Sequence, residues 1–314
     1  MRDTSSATPP FTVTILGAGA MGAAFASAFY AVHPACVRFV ADAERARRLA
    51  ESGLIVNGQH YRFTALGPDD PVQPADLVLV AVKQHHLEDA LPALARHIGP
   101  QTLILSVMNG LDSEPMIGAM YGPEKVLLAM SVGIDAQRHG NEVRFGKLGK
   151  IVFGEPDNTT LSERVRRVQP ILDRAGIPYE TPQDMVRMMW WKLMINVGVN
   201  QTSALLGVTY HIMQTDRDAQ AIMEAAMREV IAVAQAEGVN LTEQDIANWY
   251  PVLNTLLPEG KTSMAQDVAA GRKTEVEIFA GKIIALGEKH SIPTPVNRML
   301  FHAIRVLERL SGSA

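Results

Sequence analysis

The chain of 314 residues is long enough for two domains of ordinary size, and its 47% hydrophobic and 20% charged residues exclude a disordered, fibrous or repeat protein. Twenty-nine basic against 33 acidic side chains give a net charge of −4, without the positive excess expected of a nucleic-acid binder or a polybasic membrane-surface protein. The single cysteine, Cys36, allows no intrachain disulfide and no cysteine-built metal site, so small-molecule chemistry in the cytoplasm is the expectation.

Phe11 to Leu16 alternates threonine with apolar residues and reads as a strand, and the small apolar residues of Ala20 to Val32 read as a helix packed closely on it. The 22 residues from Phe11 to Val32 carry no charge, Arg2 precedes them, and Ala26-Ser27-Ala28 has the form of a cleavage site, which a hydropathy reading takes for a signal peptide or anchor. Gly17, Gly19 and Gly22 inside the run favour a buried strand, turn and helix instead. A second strand is predicted at Cys36 to Ala41, a charged helix at Asp42 to Glu51, and a hairpin at Leu54 to Phe63 turning on Asn57-Gly58, the pair that a type I′ turn favours. Leu77 to Val82 and Thr102 to Val107 are continuous apolar runs of the kind found in parallel strands covered on both faces, with a helix from His86 to His97 between them. Val126 to Val132, Glu142 to Phe145 and Ile151 to Phe153 continue the strands, and Leu161 to Ala175 is a helix.

Thr181-Pro182-Gln183-Asp184 has the form of a helix start, with a hydroxyl cap, a proline in the first turn and an acid three residues on. Beyond it the pattern is helical. Leu193 to Tyr210 is a second uncharged run, but Asn196, Asn200, Gln201, Thr202 and Ser203 make it a core helix rather than a membrane span. Ala219 to Gly238, Glu243 to Trp249, Met264 to Glu288 and Pro295 to Leu310 complete the helices. The fold class is therefore α/β: a Rossmann-type dinucleotide-binding domain over residues 1–180, joined to an all-helical substrate and catalytic domain over residues 181–314.

Between a strand and a helix, Gly17-x-Gly19-x-x-Gly22 meets the context of the dinucleotide fingerprint: a tight turn, close backbone approach to a pyrophosphate, and close helix–strand packing. Ala20, Met21 and Gly22 open the helix whose N–H groups and dipole suit phosphate oxygens. Asp42, twenty residues beyond Gly22, is placed to accept from ribose hydroxyls and to favour NADH. Arg45, Arg47 and Arg48 follow within two turns and are as able to reach a 2′-phosphate as to be a solvated face, so the coenzyme stays open. Lys83 and Asn109-Gly110 end two of the apolar strands, on the side of a doubly wound sheet where ligands bind, although a lysine there is often only an exposed charge.

Lys192, Asn196 and Asn200 stand four residues apart, within an arc of roughly 80° on one helix face. Around them are Met188, Met189, Trp190, Trp191, Leu193, Met194, Ile195, Val197 and Val199, so a cation and two amides in line suggest a ridge facing a polar ligand. The plainer alternative is a snorkelling lysine with helix–helix hydrogen bonds. Thr262-Ser263-Met264 begins a helix, and Lys273 to Glu277 lies about three turns later on the same predicted segment, which ordinary capping and surface charge would also explain. His290, His302 and Cys36 read as structural.

Taken in order, the glycine fingerprint, the strand-end lysine in Val-Ala-Val-Lys83, Asn109-Gly110, Trp191-Lys192, the Thr-Ser263-Met264-x-x-Asp267 box and Thr274-Glu275 resemble the ketopantoate reductase family (2-dehydropantoate 2-reductase) over nearly the whole chain. Glu275 stands twelve residues after Ser263, as in the family pattern. The resemblance implies an NAD(P)H-dependent oxidoreductase that reduces the ketone of ketopantoate to pantoate in pantothenate and coenzyme A synthesis, with NADPH as the family default. It implies Lys192 as the acid protonating the ketone oxygen, Glu275 as a catalytic group orienting Lys192 or binding the nicotinamide ribose, Asn109, Asn196 and Asn200 on the substrate oxygens, and Ser263 on the carboxylate. A small 2-oxo acid is the expected partner, with no nucleic acid, membrane or metal required, and a homodimer is allowed.

Three positions depart from the family pattern. Asp42 stands where NADPH-using members commonly carry arginine, His86 where glutamine is common, and Thr209-Tyr210-His211 where a further substrate asparagine is expected. These leave room for a paralogue acting on another 2-oxo or 3-oxo acid. A dinucleotide-binding redox sensor, a non-enzyme alternative, would need the glycine turn but not the lysine ridge.

Overall fold

The computed structural model describes residues 10–311; Arg2 and the polar leader through Pro9 lie outside the described residues. The chain divides after Met185 into two compact units.

The first unit is built on a mostly parallel sheet. Its elements run β1 (Val13–Leu16), α1 (Ala20–Val32), β2 (Val37–Val40), α2 (Ala43–Ser52), β3 (Leu54–Val56), β4 (Gln59–Tyr61), β5 (Thr64–Leu66), β6 (Leu77–Val80), α3 (Leu87–Ala90), β7 (Leu103–Ser106) and α4 (Ser113–Tyr121). They continue with β8 (Val126–Val132), β9 (Gln137–His139), β10 (Glu142–Arg144), β11 (Lys150–Gly154), α5 (Glu163–Arg174) and β12 (Tyr179–Glu180). The main sheet has the order β12-β11-β8-β7-β6-β1-β2-β5, parallel except for the antiparallel β8–β11 pair. Every residue of β1, β6 and β7 is buried, as expected of central strands with helices on both faces. The uncharged run of Phe11 to Val32 is thus a core strand and helix, and among the described residues no helix is long and apolar enough to cross a membrane.

A second, four-stranded sheet, ordered β4-β3-β10-β9, joins two hairpins and packs on α1. The first is the predicted one: Asn57 and Gly58 both have positive φ, 48° and 79°, the conformation that lets a two-residue turn follow the strand twist.

Two predictions in this unit are corrected. The helix expected from His86 to His97 is only α3 followed by a 3₁₀ stretch, Leu91–His97, because Pro92 can neither donate a backbone hydrogen bond nor accommodate the preceding α-turn. The helix start expected at Thr181 is not formed either. The Asn158 side chain donates to Pro182 O at 2.8 Å, its N–H donates to Gln183 O at 2.7 Å, and Met185 N donates to Pro156 O, so this stretch stays extended along 156–158. The next helix begins only at Met185.

The second unit is helical: α6 (Met185–Ile195), α7 (Gln201–Leu206), α8 (Tyr210–Thr215), α9 (Arg217–Ala236), α10 (Glu243–Leu253), α11 (Ser263–Ala269), α12 (Lys282–His290) and α13 (Pro295–Ser311). α9 lies among the others, its face of Met223, Ala226, Met227, Val230, Val233 and Ala234 fully buried. Two five-residue π-turns interrupt the helices, Asn196–Asn200 between α6 and α7, and Glu277–Gly281 before α12. The single helix predicted from Met264 to Glu288 is therefore broken. Arg272 folds back on Asp267, its Nε on the buried carboxylate at 2.9 Å and its N–H on the Asp267 carbonyl, with Gly271 at φ 63° making the bend. His290 and Lys289 both bind Glu237, and Cys36 is buried in the sheet core.

Candidate active site

The strand order sets one group of candidate residues, in the first unit. β1 lies between β2 and β6, and the chain leaves it in opposite directions along the sheet, which makes the carboxyl ends of β1 and β6 a switch point. Asp42 follows β2, Gly17 follows β1, Lys83 follows β6 and Asn109 follows β7, so the four positions line one edge in that order over about three strand spacings, ~14 Å. Lys83 and Asn109 are half-buried, and Gly110 turns the chain at φ 92°.

The glycines answer whether a dinucleotide fits. Gly17 has φ 110°, and a Cβ there would sit 2.6 Å from the Ala81 carbonyl oxygen, so the turn presses against the end of β6. A Cβ on Gly22 would run into the Gly17 carbonyl oxygen, which is why α1 can begin so close to the strand. A Cβ on Gly19 would meet nothing within 4 Å. Two glycines are thus required by the protein's own packing, while the third borders open space, the division of labour that a pyrophosphate cradle needs. Gly19 caps α1 without a side-chain acceptor and the first turn holds no acid, so the N–H groups of Ala20, Met21 and Gly22 and the positive end of the dipole suit an anion.

Asp42 is exposed and caps α2, its Oδ1 accepting from Arg45 N at 2.8 Å. A residue that sequence reasoning missed joins it. Arg138, on the short edge strand β9, donates from Nη1 to the Ala18 carbonyl inside the glycine turn and from Nε to Gly140 O. Burial, and then the nearby charges of Arg45 and Arg48, hold the Arg138 pKa below its ordinary value. Arg138 thus sets a guanidinium against the turn. No local pattern announces Arg138, because its partner is 120 residues away.

A second group of candidate residues lies in the second unit, on α6 and the π-turn that follows it. Lys192 and Asn196 are half-buried, Asn200 is 7% exposed, and the neighbours Leu193, Met194, Val197 and Val199 are buried. In a regular α-helix four residues advance the face by about 40°. The wider π-turn rotates less per residue and counters that drift, and Asn200 Nδ2 comes 3.5 Å from Asn196 Oδ1. Gly198 lets the wide turn ride against α9, since a Cβ would fall 2.6 Å from Met227 and 3.1 Å from Met223.

Ser263 is the exposed first residue of α11. Its predecessor Thr262 caps the helix by accepting from Ala265 N, and shares a 2.7 Å hydrogen bond with Ser203, whose hydroxyl also reaches Asn200 O. Ser263 is thereby tied to the end of the ridge. Glu275, half-buried, is held between Thr274, whose N–H and hydroxyl both donate to Glu308 Oε1, and the second π-turn, where Ile278 N donates to Glu275 O. The departing segment 209–211 also touches this region: Tyr210 N donates to Gly260 O, His211 N to Pro258 O, and Gly260 leaves room for the Tyr210 ring. A surface depression of about 520 Å³ beside the hairpins, among Asn57, Asp135, Glu142 and Arg144, involves none of these residues.

A Rossmann-type dinucleotide-binding unit followed by a helical unit with a polar ridge is the class that fold and residues define. Comparison with known proteins makes it specific. Residues 13–158 match the model of the family "Ketopantoate reductase PanE/ApbA", and residues 184–308 match that of its C-terminal domain. A 2-dehydropantoate 2-reductase of Streptococcus pyogenes is 25% identical over 300 residues, covering 94% of this chain and 97% of its own. The PanE/ApbA family ketopantoate reductase of Ralstonia eutropha JMP134 superposes with a TM-score of 0.81 at 27% identity, covering 96% and 99% of the two chains. A D-mandelate dehydrogenase solved with NADH and anilino(oxo)acetate has the same fold, with a TM-score of 0.85, 21% identity and coverage of 96% and 99%. The chain belongs to the ketopantoate reductase family, and is an oxidoreductase of the NAD(P)H-dependent kind that acts on a CH–OH group.

Proposed function

We propose that this protein reduces the ketone of a 2-oxo acid, ketopantoate first, to the hydroxy acid. The observation that carries the reading is the ridge: Lys192, Asn196 and Asn200 kept on one face of an otherwise apolar helix by a π-turn, in a chain that also carries the glycine turn.

Coenzyme would be held by Gly17, Gly19 and Gly22, with the N–H groups of Ala20 and Met21 on its phosphates and with Lys83 and Asn109 along the same sheet edge. When bound, the reduced nicotinamide supplies a hydride to the substrate's carbonyl carbon. The other roles belong to the chain. Lys192, in its ammonium form, stabilises the negative charge that develops on the ketone oxygen and gives up a proton to it. Glu275 orients Lys192 or binds the ribose, Asn109, Asn196 and Asn200 hold substrate oxygens, and Ser263 takes the carboxylate. Fixing a 2-oxo acid at both ends turns the transfer into a near-unimolecular event.

For the coenzyme we propose NADPH. Arg138 lies against the turn and feels the charges of Arg45 and Arg48, while of the two carboxylates beside them Asp42 already accepts from Arg45 N and Glu44 pairs with Arg48. Guanidinium groups are the natural receptors for a 2′-phosphate.

A second reading, a paralogue reducing another 2-oxo or 3-oxo acid, is favoured by Thr209-Tyr210-His211, whose backbone is bound to the 258–260 segment that leads into Ser263. The test is a steady-state assay of ketopantoate and a panel of 2-oxo and 3-oxo acids with NADPH and with NADH. Ketopantoate as best substrate supports the first reading. Turnover confined to another acid transfers the assignment to the paralogue, and coenzyme binding without turnover of any acid sinks both.

A further inference from the structure

The two π-turns of the second unit share one side chain. An α-helix that widens by one residue leaves a carbonyl or an N–H without its usual partner, four residues away, and in a protein core that group must be satisfied by something else. At the end of the first turn the N–H of Gln201 is directed to Gly198 O and away from Val197 O, the acceptor that it would use in an α-helix. The side chain of the same residue replaces the N–H there: Gln201 Nε2 donates to Val197 O at 2.8 Å. In the second turn Gly281 N donates to Val276 O, the acceptor that the Ala280 N–H would use in an α-helix. Ala280 N donates instead to Gln201 Oε1 at 3.0 Å. A single amide, with no solvent exposure, thus closes both turns across 79 residues of sequence.

The amide is itself held. Gln201 Nε2 also lies 3.3 Å from Asn297 Oδ1, and Asn297, equally buried, donates from Nδ2 to Glu229 Oε2 at 2.7 Å and to Ala226 O at 3.2 Å. Glu229, on α9, further accepts from Val296 N and Asn297 N at the start of α13. This network fixes which end of the Gln201 amide is donor and which is acceptor. A chain of satisfied polar groups in a core specifies one arrangement, because any alternative strands a buried group.

What the arrangement specifies is the ridge. The first turn carries Asn196 and Asn200, and the second begins two residues after Glu275, whose carbonyl accepts from Ile278 N within it. We propose that Gln201 is a positioning residue: it locks the two π-turns in one register, and so fixes Asn196 and Asn200 relative to Glu275 without contacting substrate. The inference rests on the site proposed above.

The test replaces Gln201 with methionine, similar in length but without donor or acceptor, and measures ketopantoate reduction with NADPH, the affinity for NADPH alone, and amide exchange by peptide. The expected result is a folded protein whose KM for ketopantoate rises and whose kcat falls, together about tenfold or more in kcat/KM, with NADPH affinity kept within about twofold. Amides of 196–202 and 277–281 should exchange faster together. A smaller folded fraction would lower kcat alone and leave KM unchanged. That result, or unchanged kinetics in a folded Gln201→Met protein, overturns the proposal. Should Gln201→Met not fold, Gln201→Glu serves. Its protonated acid can give a hydrogen to Val197 O and accept from Ala280 N, whereas the ionised form, with Glu229 behind Asn297, cannot donate. KM of Gln201→Glu should therefore rise with pH relative to the natural protein, and a parallel pH profile overturns the proposal. Lys192→Ala, run alongside, separates the two claims: if it keeps full turnover the site itself is wrong, while if it is inactive and Gln201→Met is unaffected only the positioning role fails.

Discussion

The glycine turn of the first unit and the polar ridge of the second use side chains in opposite ways. At the turn, the proposed function would come from side chains that are missing: Gly17 and Gly22 allow backbone to touch backbone, and Gly19 leaves the approach open. At the ridge, the proposed function would come from polar side chains set into an apolar helix, with other hydrogen-bonded polar groups in the core behind them. The first kind of site fails when an atom is added, the second when a partner is taken away.

The most severe effect should come from adding atoms at the turn. Alanine ordinarily stabilises a helix relative to glycine by roughly 1 kcal/mol, but Gly22→Ala would force its Cβ into the Gly17 carbonyl. The expected outcome is loss of coenzyme binding together with a large drop in melting temperature. Gly19→Ala, with open space around its Cβ, should melt as the natural protein does while binding coenzyme about tenfold more weakly, measured by fluorescence titration. Equal melting temperatures for the two variants would erase the distinction drawn between those glycines.

Smaller in size is the effect of removing charge beside the turn. Arg138→Ala should weaken NADPH binding by about tenfold and leave NADH within about twofold, since a charge-assisted hydrogen bond is worth ~1.5–3 kcal/mol in full and less at a partly solvated edge. Asp42→Ala should shift the preference further toward NADPH. If Arg138→Ala weakens both coenzymes alike, its role is only to brace the Ala18 carbonyl.

Acid sharpens the comparison in a different way, because among the described residues the buried histidine belongs to the first unit. His97 is 1% exposed, its Nδ1 is 3.0 Å from Thr14 Oγ1, and Thr14 Oγ1 accepts from Arg38 Nε, so the threonine hydrogen points to an unprotonated Nδ1. Burial, and then the Arg38 charge, push its pKa down to about 4. The unfolded chain takes up a proton near pH 6.5 and the folded one only near 4, so stability falls as pH drops through that window, by at most about 3 kcal/mol. Urea unfolding of the natural protein and of His97→Gln between pH 7.5 and 4.5 should show a flatter decline for the variant. Parallel declines would assign the acid sensitivity to other groups.

Much of the first unit was legible because its information is local. The glycine spacing, the Asn57-Gly58 turn and the apolar runs of β6 and β7 each carry their own period. The errors have local causes too: Pro92 breaks a helix that hydrophobic spacing alone would continue, and Asn158 captures carbonyls that a cap at Thr181 would have led into a helix. The ridge was legible as a pattern of four, but not the π-turn that aligns it. That turn depends on Gln201 reaching Ala280 and Asn297, 79 and 96 residues away, and a separation of that size leaves no trace in spacing. Arg138 was missed for the same reason, being a lone charge on a three-residue edge strand with no hydrophobic period.

Lys192 is the residue on which the account depends most. The direct measurement is the rate of ketopantoate reduction by the natural protein and by Lys192→Ala, at saturating NADPH, with NADPH affinity measured on both. The account predicts a fall in kcat of about 10² to 10³, the usual cost of removing one donor from a developing oxyanion, with coenzyme affinity unchanged. A Lys192→Ala protein that turns over at the natural rate would contradict it.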